Sequence, residues 1–343
     1  MRSAAPAPCG ERQGQSRQGQ SRQGQSRQGQ RRQARPRRRL PRAADTQPTA
    51  QLPTTAWLWS GSVAAPTPAT EPLDRVEKAL ALVDRDGLGL ELGPSHSPIA
   101  PKRQGYRVHT VDHLTAEELR AKYTGHPVDL QAIEEVDFVW HGEPLPELVG
   151  GTARYDWIVA SHVLEHIPDP VAFLDGCARI LRPGGVLSLI LPDMRCCFDQ
   201  YMPLTTTGQW LDAHHQGRMR PTPGQVFDHH ADAIARQGRI AWPLGDPAAP
   251  NLVHELPIAA DLWRRARDGD EYIDSHLWRF VPASFRLLVQ DLRDLGLTEL
   301  VIKRDWDTVG HEFHAVLGTG LPHIGRVDRL ATLARLSRLG DTP

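Results

Sequence analysis

Apolar residues between Leu73 and Gly320 fall into two alternating rhythms. LGLELG (88–93), YRVHTVD (106–112), VDFVW (136–140), DWIVAS (156–161) and VLSLILP (186–192) are short, nearly continuous apolar runs. Most end against an acidic or small polar residue, the pattern of strands buried on both faces of a parallel sheet. Helical spacing lies between and around them. In PLDRVEKALALV, Leu73, Val76, Leu80 and Val83 share one face. LTAEELRAKY (114–123) opens on a capping box, Thr115 with Glu118. A further helix has Asp169 as N-cap and Pro170 at its first position, turns Leu174, Cys177 and Leu181 to the sheet, and stops at Pro183-Gly184-Gly185. PASFRLLVQDLRDLGL (282–297) is a last amphipathic helix before two strands, LTELVIKRDW and HEFHAVLGTG, and a short Arg-rich helix at 325–339. The order predicts an α/β fold: a doubly wound, mostly parallel seven-stranded sheet whose last strand runs antiparallel.

Three segments stand outside this alternation. Residues 194–281, rich in His, Pro and Trp, are far too long for an ordinary connection. They are expected to form a largely helical lid at the C-terminal strand edge that decides what enters. Residues 13–32 repeat QGQSR, the last copy as QGQRR, with no apolar side chain to offset the entropy of ordering, so 1–70 is expected to be a disordered basic tail. The domain then runs over 71–320, with a C-terminal helix and tail at 321–343.

Charge follows the same division. Residues 1–43 carry twelve arginines and one acid, Glu11; the rest carries 28 basic against 40 acidic side chains. An acidic body offers no polyanion-binding surface, so no nucleic acid partner is expected, although the tail alone could serve as a basic arm. Four lysines against 36 arginines fit a GC-rich bacterial genome. Cys9, Cys177, Cys196 and Cys197 form no CxxC pair, which points to neither a disulfide framework nor a zinc site and fits a reducing cytoplasm. No apolar run reaches the roughly 18 residues of a membrane span, and TAWLWSGSVAA (55–65) is too short and broken for a secretion signal. Asp228, His229 and His230 lack a supporting ligand at helical or strand spacing, so no metal is expected.

The strand ends carry the candidate chemistry. Asp112 ends the second run, 21 residues after Glu91, where an acid reads ribose hydroxyls. The first turn, Glu91-Leu92-Gly93-Pro94-Ser95-His96-Ser97, keeps one glycine of the GxGxxG that a pyrophosphate needs, and its acid would repel phosphate. That speaks against a nicotinamide enzyme and for a cationic or amino-bearing ligand with a ribose.

With YDWIVASHVLEHIPDP (155–170) and ILRPGGVLSLILPD (180–193), these features resemble the class I S-adenosylmethionine-dependent methyltransferases over about residues 75–195. ELGPSHSPIAPK, VDFVW and LPDMRCCFDQYMPLTT resemble a narrower bacterial subgroup, akin to methyltransferase type 11, often suspected of acting on glycans. The resemblance implies S-adenosylmethionine as cofactor, held at its methionine end by Glu91, Gly93 and Pro94, at its ribose by Asp112, beside the adenine by Trp140 and His141, and near the methyl by Ser161 and His162. The family commonly has another glycine where Ser95 to Ser97 stand. His162, His166 and Arg195 are the candidate catalytic residues, each with a structural alternative: helix-start packing for His166, a salt-bridged loop for Arg195. Asp193, Arg195, Asp199, Tyr201, His229 and His230 are candidates to meet a small-molecule or glycan acceptor, expected to offer a hydroxyl. Trp210, Trp242, Trp263 and Trp278 suit a core better than a sugar-stacking platform. A binding or scaffold protein that kept the fold and lost activity is the alternative function; oligomeric state is left open.

The repeat composition gives a first test. A chain that starts at Pro66 should keep the melting temperature and the S-adenosylmethionine affinity of the full one. A large loss in either, read by thermal denaturation and calorimetry, would show that the tail packs on the domain.

Overall fold

The computed structural model describes residues 73–321 and 324–340. The expected basic tail lies outside the described residues. A seven-stranded sheet runs in the order β3-β2-β1-β4-β5-β9-β8. Its parallel part is β1 (Gly89–Leu92), β2 (Val108–Asp112), β3 (Phe138–Val139), β4 (Tyr155–Ser161) and β5 (Leu181–Pro192). The final hairpin pairs β8 (Val301–Val309) with β9 (Glu312–Gly318), and β9 inserts antiparallel between β5 and β8. The doubly wound, mostly parallel sheet with an antiparallel last strand is therefore as expected.

The strands are apolar because both faces are covered. All four residues of β1 are buried, Glu91 included. Helix α4 (Pro170–Ile180) covers one face with Phe173, Leu174, Cys177 and Ile180, and its N-cap Asp169 accepts the Ala172 N–H. Helix α8 (Pro282–Asp294) buries Phe285, Leu288, Val289 and Leu292 in the same core. Helix α2 (Ala116–Tyr123) carries the expected capping box between Thr115 and Glu118, and the short α3 (Leu145–Leu148) packs on α4.

Three boundaries differ from the sequence pattern. Helix α1 is only Arg75–Ala79, since the chain must turn through Asp84 to Gly87 to enter β1, and Val76 is left exposed. Leu181 is not a helical residue facing the sheet: it is the C-cap of α4 and the first residue of β5, with Pro183-Gly184-Gly185 looping out at a register shift before Val186. The insertion is less helical than expected. Helices α5 (Thr207–His215), α6 (Pro223–Asp232) and α7 (Leu256–Asp268) are joined by a two-stranded ribbon, β6 (Ile234–Arg236) with β7 (Pro250–Leu252). Trp210 and Trp278 are buried with Phe280 in the main core, and Trp242 is buried under Arg236, so these three are packing residues. Helix α9 (Arg329–Ser337) docks on α8 through Arg329 to Asp291, beside Arg326 to Asp294.

The insertion starts where β5 ends. Met194 N–H bonds to Phe280 O, and Leu277 N–H bonds to Glu165 O, so its two ends are tied together beside β4. Met219, on the α5–α6 connection, reaches Gly142 just past β3: a Cβ on that glycine would lie 3.1 Å from Met219 Cε. The segment therefore runs from the end of β5 to the loop after β3.

One close approach sets the geometry of β1. A Cβ on Gly89 would sit 2.1 Å from the indole Cζ2 of Trp157, itself fully buried on β4. Gly89→Ala should therefore cost about 1–3 kcal/mol, the usual toll of overpacking a core. Denaturant midpoints would read it; an unchanged midpoint would mean that the indole can move aside.

Candidate functional site

The turn after β1 is organised around Glu91. Its carboxylate accepts the N–H of Ile99 at 2.5 Å and of Ala100 at 3.0 Å, which folds the Gly93-to-Ala100 loop back over the strand. Burial pushes this carboxyl up to about 7, against the pull of the two amides. Gly93 holds φ +63°, and a Cβ there would meet Val163 Cγ2 at 2.9 Å. Ser95 follows in the left-handed region at φ +45°, a conformation that costs a non-glycine residue on the order of 1–2 kcal/mol. The position where the family commonly has glycine thus keeps a glycine-like backbone. Pro94, between them, is half-buried.

Asp112 closes the same crevice from the end of β2. It is buried, and it accepts the Ser95 N–H at 3.0 Å and the His113 N–H at 2.8 Å. It thereby couples the β1 turn to the β2 end. Trp140 N–H bonds to Asp112 O, its indole N–H donates to Glu143 O, and the ring packs against Phe173. His141 beside it is exposed, with its N–H on Glu143. Glu91, Gly93, Asp112 and Trp140 therefore lie along one edge, at the ends of β1, β2 and β3.

The end of β4 carries a denser cluster. Ser161 Oγ accepts from Arg75 at 2.8 Å, and Arg75 also holds Glu312 at 2.8 Å. His162 adopts φ +54° and hydrogen-bonds through Nε2 to the other Glu312 oxygen at 2.9 Å. Burial works to lower its pKa, but Glu165 and Glu312 face it and carry it up to about 9. In this arrangement His162 is an imidazolium at neutral pH and would not accept a proton. His166 does not share a helical face with His162. It ends a single 3-10 turn (Leu164–His166), four residues before α4 begins, and its Nδ1 lies 2.7 Å from Asp274 Oδ1.

Beyond β5 the expected acceptor residues separate. Asp193 is fully buried and is engaged by Arg195 through its N–H and guanidinium and by Thr308 Oγ1. Arg195 is accordingly in the salt-bridged arrangement. Asp199 is buried, with Oδ2 2.5 Å from His276 Nδ1 and Oδ1 3.7 Å from Arg279 Nε. His229 Nδ1 accepts the His276 N–H, and burial drives its pKa down to about 3, so it is neutral. His230 turns to His254, and Tyr201 is 62% exposed at the surface.

Arg75, Glu165, Asp274, His276 and Glu312 belong to this network and were not singled out from the sequence. Glu165 and His166 stand in HVLEH, whose spacing was visible. His276 lies about 110 residues downstream in the insertion, where no periodic pattern announces it.

The profile of a family described as a methyltransferase domain matches residues 67–239 of this chain, from α1 through β6. The chain belongs to the class I S-adenosylmethionine-dependent methyltransferases. The ubiquinone biosynthesis O-methyltransferase of Xylella fastidiosa is 32% identical over 121 residues, which cover 34% of this chain and 45% of that protein. Its namesake in Paramagnetospirillum magneticum is 31% identical over 120 residues, 34% of this chain and 42% of the relative. The chain thus matches less than half the length of these curated relatives. The solved CcbJ methyltransferase from Streptomyces caelestis aligns over 75% of this chain and 94% of its own at 16% identity and a TM-score of 0.37, too loose to carry an argument.

The residues present fit this cofactor. The bare Cα of Gly93 lies in a space that a Cβ would fill, and a buried acid stands at each of the β1 and β2 ends. No phosphate nest is required, because the cofactor has no phosphate.

Two measurements follow from the turn. Ser95→Gly should raise stability by about 1 kcal/mol by relieving the left-handed strain; a lower denaturant midpoint would show that the serine side chain contributes more than its backbone costs. Glu91 gives a pH dependence. Its folded pKa lies above the unfolded value of 4.5, so the native state holds this proton more tightly. The contribution is full below about 4.5 and is lost as pH rises to about 7, a change of about 3 kcal/mol at most. Glu91→Gln should flatten that limb of the stability–pH curve, read by urea midpoints from pH 4 to 8. An unaltered slope would place the titration elsewhere.

Proposed function

We propose that this methyltransferase transfers its methyl group to a hydroxyl of a small molecule or glycan, with the insertion 194–281 selecting the acceptor. The observation that carries this reading is the placement of that insertion. It departs from the end of β5, returns beside β4, and reaches over to Gly142 past β3, on the edge where Glu91, Gly93 and Asp112 converge. An in-line methyl transfer requires alignment and exclusion of water more than covalent chemistry from the protein. Trp210 and Trp278 anchor the insertion in the main core, which supports both roles.

S-adenosylmethionine, when bound, supplies a methyl activated by its sulfonium. The chain's own part is to orient. In this reading the turn that Glu91 and Gly93 shape receives the methionine end, Asp112 accepts from the ribose, and Trp140 and His141 border the adenine. Ser161 and His162 sit nearest the reacting carbon. The likeness to ubiquinone O-methyltransferases supports an oxygen acceptor, over the shared third of the chain alone. No described helix is long and apolar enough to cross a membrane.

Asp112→Ala should weaken S-adenosylmethionine binding by about 1.5–3 kcal/mol, the size of a hydrogen bond to a charged group. Calorimetry would measure it, with circular dichroism as the folding control; wild-type affinity would remove Asp112 from the ribose site. Transfer of labelled methyl from the cofactor to hydroxylated acceptors, set against matched amines, tests the acceptor class. Preference for the amines would overturn it.

A further inference from the structure

Glu165 presents a problem that the methyl-transfer reading leaves unsolved. It is fully buried just after β4, and neither carboxylate oxygen accepts a hydrogen bond. His162 Nδ1 comes within 3.4 Å of one oxygen but is too poorly aligned for a hydrogen bond. Glu165 thus faces the His162 cation but makes no hydrogen bond, and a buried carboxylate in that state leaves room for a further cation or polar ligand. Two imidazoles surround it. Glu165, His166 and His276 each offer a ligating atom, all within 4.8 Å of one another.

One nitrogen of each imidazole is held by a carboxylate. Nδ1 of His166 is held by Asp274 at 2.7 Å, and Nδ1 of His276 by Asp199 at 2.5 Å. Each ring therefore has Nε2 left to ligate, with a carboxylate on its other nitrogen, the outer-shell arrangement that fixes tautomer and aim in metal sites. The side chain of His276 is 9% exposed and that of His166 28%, so the cluster opens on the His166 side. A second group, His162, His311 and Glu312, has similar spacing. There the carboxylate is saturated by Arg75 and His162, and nothing is owed to a cation.

We infer that Glu165, His166 and His276 form a binding site for a divalent first-row transition metal ion at the acceptor side of the sheet. Two imidazoles and one carboxylate favour zinc, cobalt or manganese over calcium or magnesium, and the open side leaves room for an oxygen ligand. The expectation of no metal from the sequence concerns Asp228, His229 and His230; the present three side chains come from two segments about 110 residues apart. A role for the ion in holding an acceptor hydroxyl rests on the proposed function; the binding site itself does not.

The test uses the full chain, stripped with chelator, without cofactor. Calorimetric titration with Zn2+, Mn2+ and Co2+ should show saturable binding of a single ion, and Co2+ should give visible d–d absorption. Glu165→Gln and His166→Ala should each weaken binding at least tenfold while circular dichroism stays that of the parent, and Asp274→Asn should weaken it about tenfold or more. Absence of saturable binding would overturn the site. So would a Glu165→Gln variant that binds as the parent does, or binding that survives Glu165→Gln and is lost in Glu312→Gln. If the ion binds as described and hydroxyl acceptors are not methylated, the acceptor reading fails and the site stands.

Discussion

A parallel sheet covered on both faces can present polar chemistry only where its strands stop. In this chain that constraint decides nearly every functional position. The interior of β1, β4 and β5 must be apolar, since a polar side chain there would be buried without water. Ser188 meets that demand by donating to Ala79 O, and Glu91 by folding the following loop back so that two backbone amides meet it. The acid thus shapes the cofactor turn before any ligand is considered.

The sheet was legible in the sequence because its determinants are local. Each strand shows its burial in its own run of residues, and each cap sits within three positions of the helix it starts, as Thr115 and Asp169 do. The placement of Glu91, Gly93 and Asp112 was legible for the same reason, since they stand at strand ends that can be counted from the pattern. Their binding roles rest on the resemblance and await the experiments above.

The β4 cluster was only half legible. His162 and His166 stood out, but their partners arrive from β9, from α1 and from the return of the insertion, and burial of these groups depends on tertiary packing. Asp199 shows the cost of reading position without packing. It follows β5 as an acceptor residue should, yet it spends its carboxylate on His276. Arg75 was hidden differently: its helix looked like a longer amphipathic one, and the polar face of such a helix gives no reason to suspect a tether into the site.

Arg75 and Glu312 are separated by 237 positions, and between them they hold Ser161 and His162. Strand β9 also enters the sheet between two strands that precede it in the chain. During synthesis the parallel core from β1 to β5 can collapse while β9 is still on the ribosome, but the β4 end stays unlatched until the hairpin is released. Order at the β4 end is thereby tied to completion of the domain, and a truncated translation product would carry the β1 turn without the Arg75–Glu312 latch. Such a long sequence separation slows the final step of folding relative to the core.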